Sequence, residues 1–327
     1  MKKQAERATL KMIDSYGRKI NYLRVSVTKR CNLNCTYCGA SCERSDEELT
    51  AEQIEKIVKV FADFGITKVR LTGGEPLVRS DICDIAQRLR GIDGIKKVAL
   101  TTNGIRLKEF AEPLKAAGVN AVNISLDTTD KEQFKEITGC DMIHKVFEGI
   151  EECERVGLSP IRLNAVLIRG QNDAQAESLI NIARDRKIDV RFIELMPFSD
   201  DGENEKLVIK GEEILNRFPF LKPAANDGTE FEKSVARYYE AENFKGRIGL
   251  ITPVSEKFCS ECNRIRLLSD GKVKPCLGND EIFDLKGVLY DDNLLRETIC
   301  KAIMSKPMEH RFSCGYGNSH GMNKIGG

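Results

Sequence analysis

Six of the twelve cysteines fall into two groups of three whose spacing suits metal chemistry. The first is Cys31-Asn-Leu-Asn-Cys35-Thr-Tyr-Cys38. Three thiolates on one loop can hold three irons of a four-iron cube and leave the fourth iron open to another ligand. The second is Cys259-Ser-Glu-Cys262, joined by Cys276 further on. A structural zinc ribbon needs four ligands, normally two CxxC pairs, and no fourth Cys or His follows at that spacing. A zinc site or scattered core cysteines is the bland alternative for each trio. The chain holds only three histidines, so a histidine-built metal site is poorly supplied. A third constellation, Thr72-Gly73-Gly74-Glu75-Pro76, offers close backbone approach at the glycines and a carboxylate that can accept from an ammonium group; alone it reads equally as a plain turn. Arginines provide the fourth. Arg24, Arg70, Arg162 and Arg191 fall on or beside strand-like runs, and Arg264 and Arg266 alternate along one strand and so face one side. A guanidinium fork matches phosphate oxygens, whereas a single arginine is ordinarily a solvated surface charge.

These groups need a scaffold, and the chain alternates strand-like and helix-like stretches up to about residue 195. The strand-like runs are Leu23–Val27, Lys68–Thr72, Lys97–Thr101, Ala121–Leu126, Pro160–Leu167 and Asp189–Glu194. Between them the apolar period is helical: from Thr50 to Phe64, with Thr50 and Gln53 spaced as a capping box, and over Leu107–Ala117, Lys131–Val156 and Gln175–Lys187. Strand–helix repetition predicts a parallel sheet with right-handed crossovers. Six units are too few for a closed eight-fold barrel, so the expectation is an incomplete (β/α)6 barrel of the TIM type, with a doubly wound open sheet as the alternative. The first cysteine trio would then sit at the C-terminal end of a barrel strand, where such folds place active sites. The pattern breaks at the polar loop 199–206, and the remainder carries its own cysteines. A division into a barrel of residues 1–220 and an α+β extension of residues 221–327 follows.

Composition narrows the function. With 51 basic and 50 acidic residues among 327, the chain has no global attraction for a nucleic-acid polymer. No run of apolar residues is long enough for a membrane span, and MKKQAERATLKMIDSYGRK lacks the apolar stretch of a signal peptide. A cytoplasmic setting is expected, with cysteines serving metal or redox chemistry rather than disulfides.

CxxxCxYC followed by GGEP resembles the radical S-adenosylmethionine superfamily. FCSECNRIRLLSDGKVKPCL and the final MNKIGG, with Thr101-Thr102-Asn103-Gly104, Asn123-Ile124-Ser125-Leu126-Asp127 and Arg191-Phe192-Ile193-Glu194-Leu195-Met196-Pro197, resemble its GTP 3',8-cyclase family, over nearly the whole chain from Ser15 to Gly327. The resemblance implies two [4Fe–4S] clusters, one on Cys31, Cys35 and Cys38 and one on Cys259, Cys262 and Cys276. It implies S-adenosylmethionine near Tyr37, Gly74, Glu75, Ser125 and Met196. GTP would be held by Arg24, Arg70, Thr101, Arg162, Arg264 and Arg266, together with Arg191 and Ile265. A 5'-deoxyadenosyl radical would take the ribose C3' hydrogen, and C3' would attack guanine C8, in the first step of molybdopterin formation. Arg264, Arg266 and the tail glycines Gly326 and Gly327 would take part in catalysis, the tail reaching into the active site. Implied partners are a flavodoxin- or ferredoxin-like electron donor, a downstream cyclic pyranopterin monophosphate synthase, and a second copy in a homodimer. After Cys38 the family commonly has Met-Pro and a longer loop; here the residues are Gly39-Ala40-Ser41-Cys42. Cys42, Cys83, Cys140, Cys153, Cys300 and Cys314 read as incidental thiols. Two other readings stand beside this one: a two-cluster radical enzyme that modifies peptides, which would want more C-terminal cysteines, and a zinc-binding nucleic-acid module.

Overall fold

The structure is a computed structural model that describes residues 12–38, 48–196, 204–225, 235–310 and 312. The six anticipated strands are present: β1 (Tyr22–Ser26), β2 (Lys68–Thr72), β3 (Lys97–Thr102), β4 (Val122–Ser125), β5 (Ile161–Leu167) and β6 (Asp189–Glu194). Their crossovers carry α1 (Ala51–Phe64), α2 (Ile82–Gly91), α3 (Leu107–Ala116), α4 (Lys131–Thr138), α5 (Ile143–Val156) and α6 (Ala176–Asp185). Helix α1 begins at the foreseen box: Thr50 accepts from the Gln53 N–H, and the Gln53 side chain accepts from the Thr50 N–H. It buries Ile54, Ile57, Val58 and Phe61 on one face, and Gly65 ends it in the left-handed region.

The single helix expected over Lys131–Val156 is two. Gly139, with φ of 72°, closes α4, and its N–H bonds back to the Lys135 carbonyl. The apolar period survives the break: Phe134 before it and Ile143, Val146 and Ile150 after it meet the core, and Ile137 is buried beside the break. The break matters for the first cysteine loop. The last carbonyls of α4 have no partner within the helix. Those of Ile137 and Thr138 accept instead from the Thr36 and Asn34 N–H groups, at 2.9 and 3.0 Å.

The C-terminal residues continue the same sheet. They form α7 (Asn204–Leu207), α8 (Gly211–Arg217), β7 (Lys222–Pro223), β8 (Arg237–Glu240), β9 (Ile248–Ile251), β10 (Arg264–Leu267), β11 (Lys272–Lys274), β12 (Phe283–Asp284) and α9 (Asp292–Met304). Part of the expected polar loop is thus the helical turn α7. The sheet order is β12-β11-β10-β1-β2-β3-β4-β5-β6-β9-β8-β7. Strand β10 runs parallel to β1, and β9 runs parallel to β6. Eight parallel strands therefore lie side by side, six from the crossovers and one added at each edge. The order of β1 to β6 never reverses, which rules out the doubly wound alternative.

Alternation along each strand separates two environments. Leu23 and Val25, Val69 and Leu71, Leu163 and Ala165, Val190 and Phe192, and Ile265 and Leu267 join the apolar core. The residues between them line a cavity of about 1350 Å³ on the inner face. In a closed barrel that space is packed with branched apolar side chains. Here it is lined by arginine, asparagine and threonine.

Candidate functional site

All six cysteines of the two trios line this one cavity, and each is partly exposed. Cys31, Cys35 and Cys38 sit on the loop after β1, which α4 holds from behind; a turn from the Cys38 N–H to the Cys35 carbonyl, 3.0 Å, shapes it. Asn103, at the end of β3, places its amide 3.9 Å from the Cys31 sulfur. Burial pushes the Cys31 thiol up to about 11, with Glu75 and Cys38 adding to it. Burial, then Asp127, Cys38 and Cys31, push Cys35 up to about 12. Ionised together, these sulfurs would repel one another, so the trio calls for a cationic occupant.

The second trio is shaped by a short turn at Cys259–Glu261 and by the β10–β11 hairpin. Burial raises the Cys262 thiol, but Lys306 and Arg264 outweigh it and draw it down to about 6. Among the described residues no three His, Cys, Asp or Glu side chains converge on a single ion. A tetrahedral zinc would bring its sulfurs within about 3.8 Å of each other. A cube spreads three sulfurs over separate corners, and two soft, three-thiolate sets facing a common cavity fit that group.

Gly73-Gly74-Glu75-Pro76 forms the rim beside the first trio. A Cβ on Gly74 would stand 2.2 Å from the Arg30 carbonyl oxygen, next to Cys31. Gly74→Ala must therefore displace the cysteine loop. It is expected to weaken S-adenosylmethionine by about 5- to 100-fold, since backbone strain of this kind costs about 1–3 kcal/mol; equilibrium binding on the reconstituted protein checks this. Glu75 is buried and accepts from the Leu77 N–H, the Thr102 hydroxyl and the Asn103 N–H, at 2.9, 2.7 and 2.6 Å. Burial pushes it up to about 7 against those hydrogen bonds. A carboxylate has about four acceptor positions, so one is left for a ligand donor. Tyr37 donates to Asp127, whose other oxygen accepts from the Val166 N–H at 2.8 Å. This pair ties the cysteine loop to the ends of β4 and β5. Ser125 and Met196 line the same end.

Arg24, Arg70, Thr101, Arg162, Arg191, Arg264 and Arg266 also line the cavity. Register places Arg266, Arg24 and Arg70 side by side on β10, β1 and β2. Arg70 donates to the Tyr22 hydroxyl, the Leu100 carbonyl and the Thr101 hydroxyl. Arg191 donates to Asn164 at 3.0 Å, and Arg162 lies 3.7 Å from Asp189. Like charges so placed are costly. Burial and then Arg266, Arg70 and Arg264 pull Arg24 well below its ordinary value. Burial and neighbouring arginines bring Arg191 and Arg266 down to about 10. Tyr22 registers the same field: burial raises its phenol, yet Arg70, Arg24 and Lys68 draw it down to about 7. The cavity wall is thus strongly cationic, as a polyanionic ligand would require.

Ile265 differs from the other anticipated residues. Its side chain is 1% exposed and belongs to the core, so only its backbone is available to a ligand. Gly326, Gly327, Cys42 and Cys314 lie outside the described residues. Sequence reasoning passed over Tyr22, Asn123 and Asn164, which share the inward period of Arg24, Ser125 and Arg162. Asn123 Oδ1 is buried without a hydrogen-bond partner, an orphan acceptor in the cavity wall. It also passed over Glu194, the last residue of β6, and Asp127, Lys306 and His310, which line the cavity from loops.

Residues 25–183 match the radical SAM superfamily, and residues 188–312 match Molybdenum Cofactor Synthesis C. The chain is 46% identical over 324 residues to the GTP 3',8-cyclase of Alkaliphilus oremlandii, covering 97% of this chain and all of that one. It is 42% identical over 322 residues to the GTP 3',8-cyclase of Peptoclostridium acidaminophilum, covering 97% and 98%. In fold it is similar to Streptococcus suis SuiB bound to S-adenosylmethionine, with a TM-score of 0.63 at 20% identity, covering 92% of this chain and 72% of that one.

Proposed function

We infer the roles of individual side chains from the premise that this chain belongs to the GTP 3',8-cyclase family of radical S-adenosylmethionine enzymes. It cyclises GTP in the first step of molybdenum cofactor biosynthesis and uses S-adenosylmethionine and two four-iron clusters. When bound, the clusters and S-adenosylmethionine supply an electron and the 5'-deoxyadenosyl radical that takes the C3' hydrogen of GTP.

The chain's own contribution is placement. Cys31, Cys35 and Cys38 would hold the first cluster, and Cys259, Cys262 and Cys276 the second. Gly74, Glu75, Ser125, Tyr37 and Met196 would seat S-adenosylmethionine between them, with the remaining acceptor position of Glu75 directed to its ammonium group. Arg24, Arg70, Thr101, Arg162, Arg191, Arg264 and Arg266 would hold GTP, their repulsion relieved by the triphosphate. The observation that carries this reading is the shared cavity: both cysteine trios and six strand-borne arginines open into it. Its volume of about 1350 Å³ exceeds the 300–1,000 Å³ or so of an ordinary single-ligand pocket, so two ligands can meet in one space.

The division at residue 220, the cytoplasmic setting, the flavodoxin- or ferredoxin-like donor, the downstream pyranopterin synthase and the homodimer belong to the same proposal. So does a catalytic part for Arg264, Arg266 and the Gly326-Gly327 tail. No helix among the described residues is long and apolar enough to cross a membrane. Anaerobic incubation of the reconstituted protein with GTP, S-adenosylmethionine and a reductant tests the site assignment. Equal amounts of 5'-deoxyadenosine and a cyclised guanine nucleotide are expected. Loss of that product in Cys262→Ala, with 5'-deoxyadenosine formation retained, separates the two trios; retained cyclisation would remove the second trio from the site.

A further inference from the structure

The second trio is fastened by two buried cations that the residue roles above leave unused. The first is Arg18, on a short turn ahead of β1. Its Nε donates to Asp14 Oδ2 at 2.6 Å. Nη1 donates to the carbonyls of Cys259 and Met308 at 2.8 and 2.9 Å, and Nη2 to those of Pro307 and Lys306 at 2.7 and 3.4 Å. All five N–H donors of the guanidinium are therefore used, four of them on main-chain oxygens. The second cation is Lys306, 3% exposed, just after α9. Its Nζ donates to the carbonyls of Arg264 and Pro275, both at 2.9 Å. Arg264 follows Cys262 by two residues, and Pro275 immediately precedes Cys276.

The two cations meet at residues 306–308 and between them reach all three cysteine-bearing segments. The β10–β11 ladder pairs Arg266 with Lys274 and ends short of Arg264 and Pro275, and no strand pairing among the described residues includes the Cys259 turn. A side chain that bonds two main-chain carbonyls at once fixes the distance between the segments that carry them. Asp14 fixes Arg18 in turn, its Oδ1 accepting from the Tyr16 and Arg18 N–H groups at 3.0 and 2.9 Å.

We propose that Arg18 and Lys306 form a two-cation bolt that sets the spacing of Cys259, Cys262 and Cys276 and so determines whether the second cluster is retained. They are positioning residues, acting through the carbonyls of the loops that carry the ligands. This rests on the assignment of that trio to the second cluster.

The test uses the full chain with Cys31, Cys35 and Cys38 changed to serine, so that only the second trio can hold iron. After anaerobic reconstitution this background is expected to carry about four irons. If it carries none, the trio assignment itself fails and the bolt falls with it, a result visible before any further change is made. In this background Arg18→Gln and Lys306→Met are each expected to speed iron loss to a chelator at least about tenfold, the range typical of lost outer-shell support. The same substitutions in a chain with the first trio intact are expected to leave about four irons, and S-adenosylmethionine binding, at the first site. Iron loss at the background rate in both variants overturns the proposal. If Arg18→Gln does not fold, judged by circular dichroism, Arg18→Lys replaces it. That variant keeps the charge but cannot span four carbonyls, so fast iron loss supports positioning, and full rescue shows that charge alone suffices and overturns it.

Discussion

Arg266→Ala is expected to weaken GTP on the order of 100-fold while leaving the ligand-free protein as stable as before, or more so. Arg266 is buried, opposite Arg24 on β1 and Lys274 on β11. Burial and Arg264 hold its guanidinium down to about 10. Burial likewise pulls Lys274 down, with repulsion from Arg266 opposing its contact with Asp280. Removing one member of this array relieves repulsion in the empty protein. Removing it from the complex deprives a desolvated phosphate of its partner, which costs about 2–5 kcal/mol. At about 1.4 kcal/mol per decade, the middle of that range is two orders of magnitude in affinity or more. Guanosine, with no phosphate, is expected to lose much less. Calorimetric titration with GTP and guanosine, beside urea unfolding of the ligand-free protein, measures all three quantities. Equal losses for nucleotide and nucleoside would remove Arg266 from the phosphates, and a destabilised empty protein would contradict the account of the cavity as strained by its own charge.

The second large effect is a contrast between two cysteines. Cys35→Ala is expected to cut iron from about eight to about four per chain and to abolish 5'-deoxyadenosine formation. Cys262→Ala is expected to cut iron by the same amount, abolish cyclisation, and leave 5'-deoxyadenosine formation measurable. The asymmetry follows from placement. Cys35 lies on the loop that also carries Tyr37, against the Gly74 rim and the ends of β4 and β5. Cys262 leads into the strand that bears Arg264 and Arg266. Iron analysis and chromatography of both nucleoside products read the result. Identical loss of both products in the two variants would make the sites interdependent in a way their separate anchoring does not predict.

The six strands with crossover helices were legible because their outward residues form a regular apolar period and their inward residues include arginines at matching register. Of the two strands added at their edges, β10 was anticipated from the alternation of Arg264 and Arg266, whereas its place beside β1, and β9 altogether, were not. Each is four residues long, and β9 completes a hairpin with β8 while β10 opens one with β11, so neither belongs to an alternation of strand and helix. The α4–α5 boundary was hidden because the apolar period runs across Gly139. The cysteine trios were legible from spacing alone. Their anchoring was not: Arg18 and Lys306 bond to main-chain oxygens, which leave no trace in residue type, and the Cys259 carbonyl lies 241 positions from Arg18.

Strand β1 sits in mid-sheet, flanked by β2 from its own neighbourhood and by β10 from near the other end of the chain. During synthesis at about 5–20 residues per second, the wait between β1 and β10 is on the order of ten to fifty seconds. Throughout that interval the nascent sheet presents a raw margin on which foreign strands could pair. Cys31, Cys35 and Cys38 leave the ribosome with β1, whereas the second trio gains its contacts from Lys306 only once the residues beyond the last helix have emerged.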